Sequence, residues 1–390
     1  MLLLMFACGR DLPESDSASP VETGDTADTA GRPDDLEGSD FLYADDILRF
    51  DITLDAQAMD ALGTEPSDDV VATFAYAGEA YEVGLHLKGS SAGSFRTLDE
   101  KAAFKIDFHQ WDETQTFRGV RRLTLNNMIQ DSTMSHEHAA YWLFDLVGVP
   151  SPRHGYANVW VNGELYGLYG IVETADEQLV NRLFEGDDDG QMYEGGYGFD
   201  LYDWAVDEFP QKEGDETERV ALQSLVTAVE ACPADGVLEL IEAYFDADAL
   251  FAMWAVELAI ADPDGYSTQA NNYLLYHAPV AGRWTMLPWG PDQGFDDAEP
   301  LLDKINGRLT QMCLADAGCA PSLYAAIERA LDTWESSGFA DYVDAETVRI
   351  EADCRADPRS EWGDYGCRDE QALMREWVRA RPAVVLGELP

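Results

Sequence analysis

The stretch YANVWVNGELYGLYGIVETAD, residues 156–176, holds two apolar runs on either side of Asn162 and Gly163. Asn-Gly between alternating apolar residues is the strongest short signal for a β-hairpin with a two-residue turn. Glu173 follows the second run and therefore stands where the second strand ends. The stretch predicts two antiparallel strands of a sheet, with a carboxylate at one end.

Short apolar segments with polar breaks precede this hairpin and predict further strands. They cover residues 47–54, 70–78, 79–89, 101–111 and 121–127. In the fourth segment Phe104, Ile106 and Phe108 alternate with Lys105 and Asp107. Because successive side chains of a strand point to opposite faces, the apolar side chains lie on one face and the charged ones on the other.

The pattern becomes mainly helical after a polar boundary near 213–219. Helices are predicted at 135–148, 217–231, 235–245, 246–262, 320–337, 340–352 and 368–381. A β-rich lobe followed by a helical lobe is an α+β arrangement, with room for a cleft between the lobes. We interpret residues 41–310 as the main domain, β-rich over about 41–212 and helical from about 217. Residues 311–390 then form a helical extension of the second lobe.

The net charge of the chain limits the classes of molecule that it can bind. Among 390 residues, 75 are Asp or Glu and 25 are Lys or Arg, so the formal net charge is −50. Such a surface repels nucleic acid and anionic lipid. The lysines are Lys88, Lys101, Lys105, Lys212 and Lys304. In so acidic a chain, a lysine within an apolar strand pattern, such as Lys105, is a candidate functional residue.

The N-terminal sequence indicates export. An apolar run ends at Cys8 and resembles the end of a bacterial lipoprotein signal, which predicts a signal segment at 1–8 and a lipid anchor on Cys8. A plain cleaved signal or an incidental apolar start are the alternatives. Residues 9–40 are polar and acidic and predict a disordered tether. The expected location is the cell surface, the periplasm or the exterior, with membrane contact only through the anchor.

Five other cysteines fit an exported protein. Cys313 and Cys319 are close in sequence, as are Cys354 and Cys367, which predicts two local disulfides and leaves Cys232 over. These spacings are not those of zinc sites. Three histidines without a metal spacing are predicted on helix surfaces or in loops: His136, His138 and His154.

Polar residues crowd both ends of a second predicted hairpin, with strands at 271–278 and 283–289. Asp264, Asn271 and Asn272 precede or begin the first strand, and Asp292 follows the second. The outer ends of an antiparallel hairpin lie about 5 Å apart, so these side chains are expected to cluster. Carboxylate and amide oxygens suit Mg²⁺ or Mn²⁺. Ordinary turn chemistry would also place Asp and Asn there.

Five segments in this order resemble the CotH-like kinases, a family of atypical protein kinases named for a spore coat protein. The segments are residues 87–108, 117–127, 138–176, 264–276 and 287–295, within a region of about 45–310. The resemblance implies a two-lobed fold like that of protein kinases, which binds ATP and a divalent metal ion and transfers phosphate.

The resemblance also implies roles for single residues. Lys105 would bind the phosphates of ATP, and Asp264 would be the catalytic base. Asn271 or Asn272, together with Asp292, would hold the metal ion. These positions match the family's strand lysine, Asp…Asn-Asn-Tyr and Pro-Trp-x-x-Asp elements.

Three further positions concern the phosphates and the metal. Glu173 would pair with Lys105 or reach the metal, and the turn with Lys88 and Ser90 would approach the phosphates. Lys88 stands where the family usually has Arg, and Gly290 stands where part of the family has an acid. If Asp292 does not supply the missing ligand, the protein binds nucleotide without transferring phosphate.

The expected function is that of an exported kinase that transfers the γ-phosphate of ATP to Ser or Thr of a surface or coat protein. Because ATP is scarce outside cells, a catalytically inactive kinase-like module for surface interaction or assembly is an alternative. A calcium-stabilised structural surface protein is another, given the number of acids.

Overall fold

The structure is a computed structural model that describes residues 36–89, 93–215, 218–296 and 301–390. The predicted signal segment, Cys8 and Ser90 lie outside the described residues. The predicted tether overlaps a 3₁₀ helix at Leu36–Tyr43. All described residues belong to one compact unit, and the boundary proposed at residue 310 stays a prediction.

Seven strands of the first part form a closed barrel. In chain order they are β1 (Ile47–Thr53), β2 (Val70–Tyr76), β3 (Glu79–Lys88), β4 (Ala103–Asp107), β5 (Arg122–Asn126), β6 (His154–Val161) and β7 (Glu164–Val172). Around the barrel the order is β1-β2-β3-β4-β5-β7-β6. Neighbours are antiparallel except β1 and β6, whose parallel pairing closes the barrel.

The alternation predicted for β4 is confirmed. Phe104 and Ile106 are buried inside the barrel, where they join an aromatic core that includes Phe50 and Phe74. Lys105 is only half-buried and lies on the other face of the strand. The period of two along this strand therefore separates the barrel core from the outer face that lines the cleft described below.

The hairpin predicted at residues 156–176 is confirmed and consists of β6 and β7. Asn162 and Gly163 have φ of 53° and 83°, as a type I′ turn requires. The Asn162 side chain also accepts a hydrogen bond from the N–H of Leu54 at 2.9 Å. This bond ties the turn to the end of β1.

Three helices accompany the barrel: α1 (Ala56–Thr64), α2 (His136–Leu146) and α3 (Glu177–Leu183). The buried face of α2 belongs to the same apolar core as the helices of the second part. Helix α2 lies between two barrel strands in the chain, β5 and β6, and packs against α6 of the second part. It therefore links the barrel to the helical part.

A second, four-stranded sheet follows the barrel. Its strands are β8 (Gln191–Gly195), β9 (Gln211–Glu213), β10 (Tyr273–Ala278) and β11 (Arg283–Pro288), in the order β11-β10-β8-β9. The hairpin of β10 and β11 is confirmed, with Tyr273 opposite Pro288. The sequence pattern did not predict β8 and β9, which are short; β8 pairs with β10, and β9 pairs with β8 at the edge of the sheet.

Helices make up most of the remaining chain. They are α4 (Val220–Ala231), α5 (Val237–Tyr244), α6 (Ala247–Ala259), α7 (Tyr266–Gln269), α8 (Arg308–Ala315), α9 (Ala320–Ser336), α10 (Phe339–Ala356), α11 (Gly363–Tyr365) and α12 (Gln371–Glu388), with a π-helical turn at Gly366–Glu370. The N-cap of α6 is Asp246, whose carboxylate accepts from the N–H of Ala249. Helix α12 continues through Pro382, so the predicted end at residue 381 was too early.

Both predicted disulfides are confirmed: Cys313 pairs with Cys319 and Cys354 with Cys367, while Cys232 is free. The second disulfide closes residues 354–367, which we call the return segment because it contacts the barrel. Asp357 in it lies 2.6 Å from the Nζ of Lys101.

The fold class is α+β, as predicted, with a β-rich first part and a mainly helical second part. None of the helices in the described ranges is long and apolar enough to cross a bilayer.

Candidate functional site

A cleft of about 760 Å³ lies between the outer face of the barrel and the second sheet. The barrel contributes Lys88 and Lys105, and the second sheet contributes Glu194 and Lys212. The loops around β10 and β11 contribute the polar cluster predicted from the sequence: Asp264, Asn271, Asn272 and Asp292. Six of the eight predicted site residues therefore line one cavity.

Three of the five lysines of the chain line this cleft: Lys88 and Lys105 from the barrel, and Lys212 from the second sheet. The pKa of Lys105 is lowered, first by burial and then by the like charges of Lys212 and Lys88. Lys212 forms an ion pair with Glu194. No carboxylate of the described residues lies within ion-pair distance of Lys88 or Lys105. Concentrated positive charge of this kind favours a bound anion.

Asp264 is held by side-chain amides. Its Oδ1 accepts from Asn271 Nδ2 at 2.9 Å, and its Oδ2 accepts from Asn272 Nδ2 at 2.9 Å and from Gln293 Nε2 at 3.0 Å. Its backbone N–H donates to Asp262 at 3.0 Å. Three donors fix the orientation of the carboxylate and still leave it a lone pair with which to accept a proton.

Acids concentrate around Asp292. Burial raises the pKa of Asp292 well above its usual value, and Glu137 and Asp131 raise it further, while Lys88 opposes them. The pKa of Glu137, which is 2% exposed, is raised by burial too. Its carboxylate accepts from Asn126 Nδ2 at 2.7 Å. Acidic groups are therefore concentrated around Asp292, close enough to Lys88 to feel its charge, and a bound cation would stabilise their ionised forms.

Glu137 and Asp131 were not identified from the sequence. A signal for Glu137 existed, because it stands three, four and seven residues before Ala140, Tyr141 and Phe144 and so shares their helix face. An acid on the buried face of an amphipathic helix requires a partner. Asp131 gave no comparable signal, since it lies in a loop, where its carboxylate accepts from the N–H of His136 at 2.6 Å.

Gly290 stands where the resemblance to the family predicts an acid in part of its members. Its φ is 58°, and its N–H donates to the hydroxyl of Tyr141 at 3.0 Å. A Cβ built on Gly290 would meet only the amide of Asn272, at 3.9 Å. There is space for a side chain, although a side chain at this positive φ strains the backbone.

Glu173 does not line the cleft. It is 4% exposed and forms ion pairs with Arg153 at 2.9 Å and with Arg182. The predicted pairing of Glu173 with Lys105 is therefore not found, because two nearer guanidinium groups take up the carboxylate. Ser90 lies outside the described residues.

The prediction that the three histidines lie on surfaces or in loops was wrong for His136 and His154, which are buried. The Nδ1 atoms of His138 and His154 are 3.0 Å apart, and His138 Nε2 lies 2.6 Å from the Tyr342 hydroxyl. Helix α2 packs between the barrel and the helical part, which buries positions that a surface helix would expose.

The donor set at Asp292 suits a hard divalent cation. Within the described ranges, no group of three His, Cys, Asp or Glu side chains is placed to hold a metal ion. Mg²⁺, however, usually takes one or two carboxylates together with phosphate oxygens and waters. Asp292 and the amides of Asn271 and Asn272 offer oxygen ligands of that kind, so the residues present fit such an ion.

Comparison with known proteins gives consistent results. A family model described as CotH kinase protein matches residues 85–385. The chain is similar to "Inner spore coat protein H" of Bacillus subtilis (strain 168), at 24% identity over 227 residues, which are 54% of this chain and 58% of that protein. It is similar to "Inner spore coat protein H-like protein" of the same organism, at 30% identity over 112 residues, 25% of this chain and 35% of that protein. The chain thus spans about half or less of the length of these curated relatives.

A solved structure, the crystal structure of a Helicobacter pylori proinflammatory kinase CtkA, matches 84% of this chain and 93% of its own. The identity is 7% and the TM-score 0.31, so no property of the fold is taken from it.

Proposed function

The chain belongs to the CotH kinase family, and on that premise we propose that it transfers the γ-phosphate of ATP to a Ser or Thr hydroxyl of a surface or coat protein. The observation that carries the proposal is a single cleft lined by three lysines, two of them from the barrel, and by a cluster of Asp and Asn from the loops around β10 and β11. Phosphoryl transfer needs both: cations for the phosphates, and a carboxylate for the acceptor hydroxyl.

The lysines bind the phosphates in this proposal. Lys105 projects from the barrel wall and Lys88 from the end of β3, and neither charge is taken up by a carboxylate at ion-pair distance among the described residues. Lys212, paired with Glu194, adds a third cation from the second sheet. Charge-assisted hydrogen bonds from these ammonium groups orient the triphosphate across the cleft.

Asp264 acts as the base. The oxygen of the acceptor hydroxyl attacks the γ-phosphorus, the bond from that phosphorus to the β–γ bridging oxygen breaks, and ADP leaves. The hydroxyl proton passes to the carboxylate of Asp264, which Asn271, Asn272 and Gln293 hold in place. Fixing the base in advance removes an entropic cost from the transition state.

Asp292, with the amide oxygens of Asn271 and Asn272, would hold Mg²⁺ or Mn²⁺. When bound, the ion supplies positive charge that neutralises the developing charge on the phosphates. Glu137 and Asp131 stand behind Asp292 and increase the attraction of this end of the cleft for a cation.

The nucleoside is assigned to a side chamber of about 220 Å³. Lys105, Lys212, His86 and Trp289 line both the chamber and the cleft, so the two are continuous. Inside the chamber the hydroxyls of Thr124 and Thr174 are hydrogen-bonded at 2.9 Å. Trp289, Ala175 and the two hydroxyls would contact a planar base, and charged side chains also line the chamber: Asp69, Asp107, Arg122 and Asp176.

Labelled-ATP transfer by the purified chain tests the activity, with a mixture of coat or surface proteins, or the chain itself, as acceptor. Asp264→Ala and Asp292→Ala should each lower transfer about 10²–10⁴-fold, the range of a positioned base or ligand. Asp248→Ala, which removes an exposed acid of α6, is the matched control and should act like the wild type. Equal signal from all four proteins would refute the kinase assignment.

The chamber has its own test, in which ATP is compared with tripolyphosphate. Ala175→Trp would fill the chamber and should weaken ATP binding by about tenfold or more, while tripolyphosphate binding stays within about twofold. Parallel losses for both ligands would place the nucleoside elsewhere.

Gly290 favours a second candidate, a module that binds nucleotide without transferring phosphate. The position lacks the acid that part of the family carries there, and Asp292 must then serve without it. ATP binding by wild-type protein with no transfer to any acceptor would select this candidate.

Export is proposed from the cysteines. Two disulfides fit an oxidising compartment, since such bonds persist outside the cytosol. A coat or surface location also agrees with the names of the two relatives. Mass spectrometry of the protein from its native cell would show whether Cys8 carries lipid.

A further inference from the structure

A second cavity of about 280 Å³ lies behind the loop that carries Asp264 and shares no lining residue with the cleft. It is bounded by the end of α6, the loop at 261–269, the segment at 301–306 and α12. Its lining includes Leu258, Ala261, Thr268, Leu301, Lys304 and Arg381. No step of the proposed phosphate transfer uses this cavity.

Arg381 is the unusual group in its lining. The side chain is 2% exposed, although it belongs to α12 near the C-terminus. Its Nε donates to the carbonyl of Ala259 at 2.9 Å and its Nη2 to that of Leu258 at 3.2 Å, which caps the end of α6. Its Nη1 is buried and has no hydrogen-bond partner within the described residues. Capping accounts for two nitrogens of the guanidinium and leaves the third without an acceptor, which is costly for a buried charge.

The rest of the lining fits an amphipathic anion. Lys304 adds a cation, and Leu258, Ala261 and Leu301 supply apolar surface. Asp262 also lines the cavity, but its Oδ1 already accepts from the N–H of Asp264 at 3.0 Å. At about 30 Å³ for each water-sized unit, the volume suits roughly nine or ten non-hydrogen atoms.

We propose that this cavity binds a small organic oxyanion, a carboxylate or a phosphate monoester with a short apolar body. The oxyanion would accept from Arg381 and Lys304, and the apolar body would lie against Leu258 and Leu301.

The same cavity is coupled to the loop of Asp264. Thr268 donates from Oγ1 to the carbonyl of Asp262 at 2.7 Å, and Asn306 donates from Nδ2 to the carbonyl of Thr268 at 2.7 Å. A ligand there would stabilise the loop at 261–269 and so the position of Asp264. An effect on phosphate transfer rests on the proposed function, whereas binding at the site does not.

The test uses benzoate and phenyl phosphate as probes, with benzamide as the uncharged match of benzoate. Thermal denaturation and amide hydrogen exchange are followed without ATP. At least one anion should raise Tm with saturation and protect the peptide covering 258–270 from exchange, and benzamide should do neither. An effect of benzoate alone would identify the ligand as a carboxylate, and an effect of phenyl phosphate alone as a phosphate monoester. An effect of both would show that the site accepts either oxyanion.

Two variants localise the effect. Lys304→Glu reverses an exposed charge without disturbing the core and should weaken the anion about tenfold. Arg381→Gln should abolish binding, with circular dichroism to confirm folding. The proposal is overturned if neither anion protects the loop, if benzamide protects it equally, or if Lys304→Glu binds as the wild type does. If the wild-type protein does not bind ATP, that result contradicts the proposed function and leaves the proposed anion site unaffected.

Discussion

Lys101 and Lys105 stand four residues apart, yet the structure uses them in opposite ways. Lys101 is 2% exposed and its Nζ lies 2.6 Å from Asp357 in the return segment. Asp357 also accepts from the N–H groups of Leu168 and Arg359. Lys105 is half-buried and faces the cleft. The charges that act on it are those of Lys212 and Lys88, and, with smaller effect, Glu194 and Arg122.

The difference shows how a buried charge reveals its role. Burial lowers the pKa of both lysines, so the shift alone does not separate them. The partner does: a lysine whose charge is matched by a carboxylate of its own chain holds the structure together. A lysine surrounded by like charges is held ready for an anion from outside.

The largest effect should come from breaking the buried pair. Lys101→Met leaves Asp357 buried without its cation and should lower the free energy of unfolding by about 3–5 kcal/mol. Urea denaturation measures it. The double variant Lys101→Met, Asp357→Leu replaces both charges and should recover part of the loss, because the N–H groups of Leu168 and Arg359 lose their acceptor. If the single variant loses less than about 1 kcal/mol, the pair does not anchor the return segment.

Lys105→Met should weaken ATP binding and leave the stability of the protein nearly unchanged. No ion pair of its own is lost, so stability should change by less than about 1 kcal/mol. ATP binding should weaken about 10–100-fold, the value of one charge-assisted hydrogen bond, when measured by calorimetry. Arg329→Met removes an exposed cation of α9 and is the control. Unchanged ATP affinity would remove Lys105 from the site.

Two glycines differ in the same way: Gly167 packs against the return segment, and Gly290 lines the cleft. A Cβ on Gly167 would lie 2.5 Å from the carboxylate of Asp357, whereas a Cβ on Gly290 meets nothing closer than 3.9 Å. Gly290→Asp should therefore fold and raise Mn²⁺ affinity about tenfold over Gly290→Asn, which has the same shape and the same positive φ but no charge. Equal Mn²⁺ affinity of the two variants, by calorimetry, would place the metal away from residue 290.

The smallest effect is a shift in pH dependence. Lys105 binds phosphate while protonated, so triphosphate affinity is present below its lowered pKa and is lost as pH rises through it. Lys212→Gln removes a like charge and should move that loss to higher pH. Glu194→Gln removes an attracting charge and should move it to lower pH. Binding is titrated without metal, over a range in which the triphosphate stays fully ionised; shifts of the same sign in both variants would contradict this account.

Much of the candidate site could be predicted from the sequence because its residues lie at the ends of a recognisable hairpin. Asp264, Asn271, Asn272 and Asp292 surround β10 and β11, whose turn dictates that their outer ends meet. Glu194 and Lys212 could not be predicted, since β8 and β9 are too short to show a period, and β8 joins the sheet by pairing with β10, a strand distant in sequence.

Local pattern therefore determined the barrel strands, the two hairpins, most helices and the disulfides, because each depends on neighbours in sequence. Only the tertiary structure decided which charges are matched. Asp357 reaches Lys101 across more than 250 residues, Arg153 and Arg182 take Glu173 from Lys105, and Glu137 is buried behind Asp292. The electrostatic role of a side chain depends on distance and burial in space, and neither quantity has a signature in local sequence.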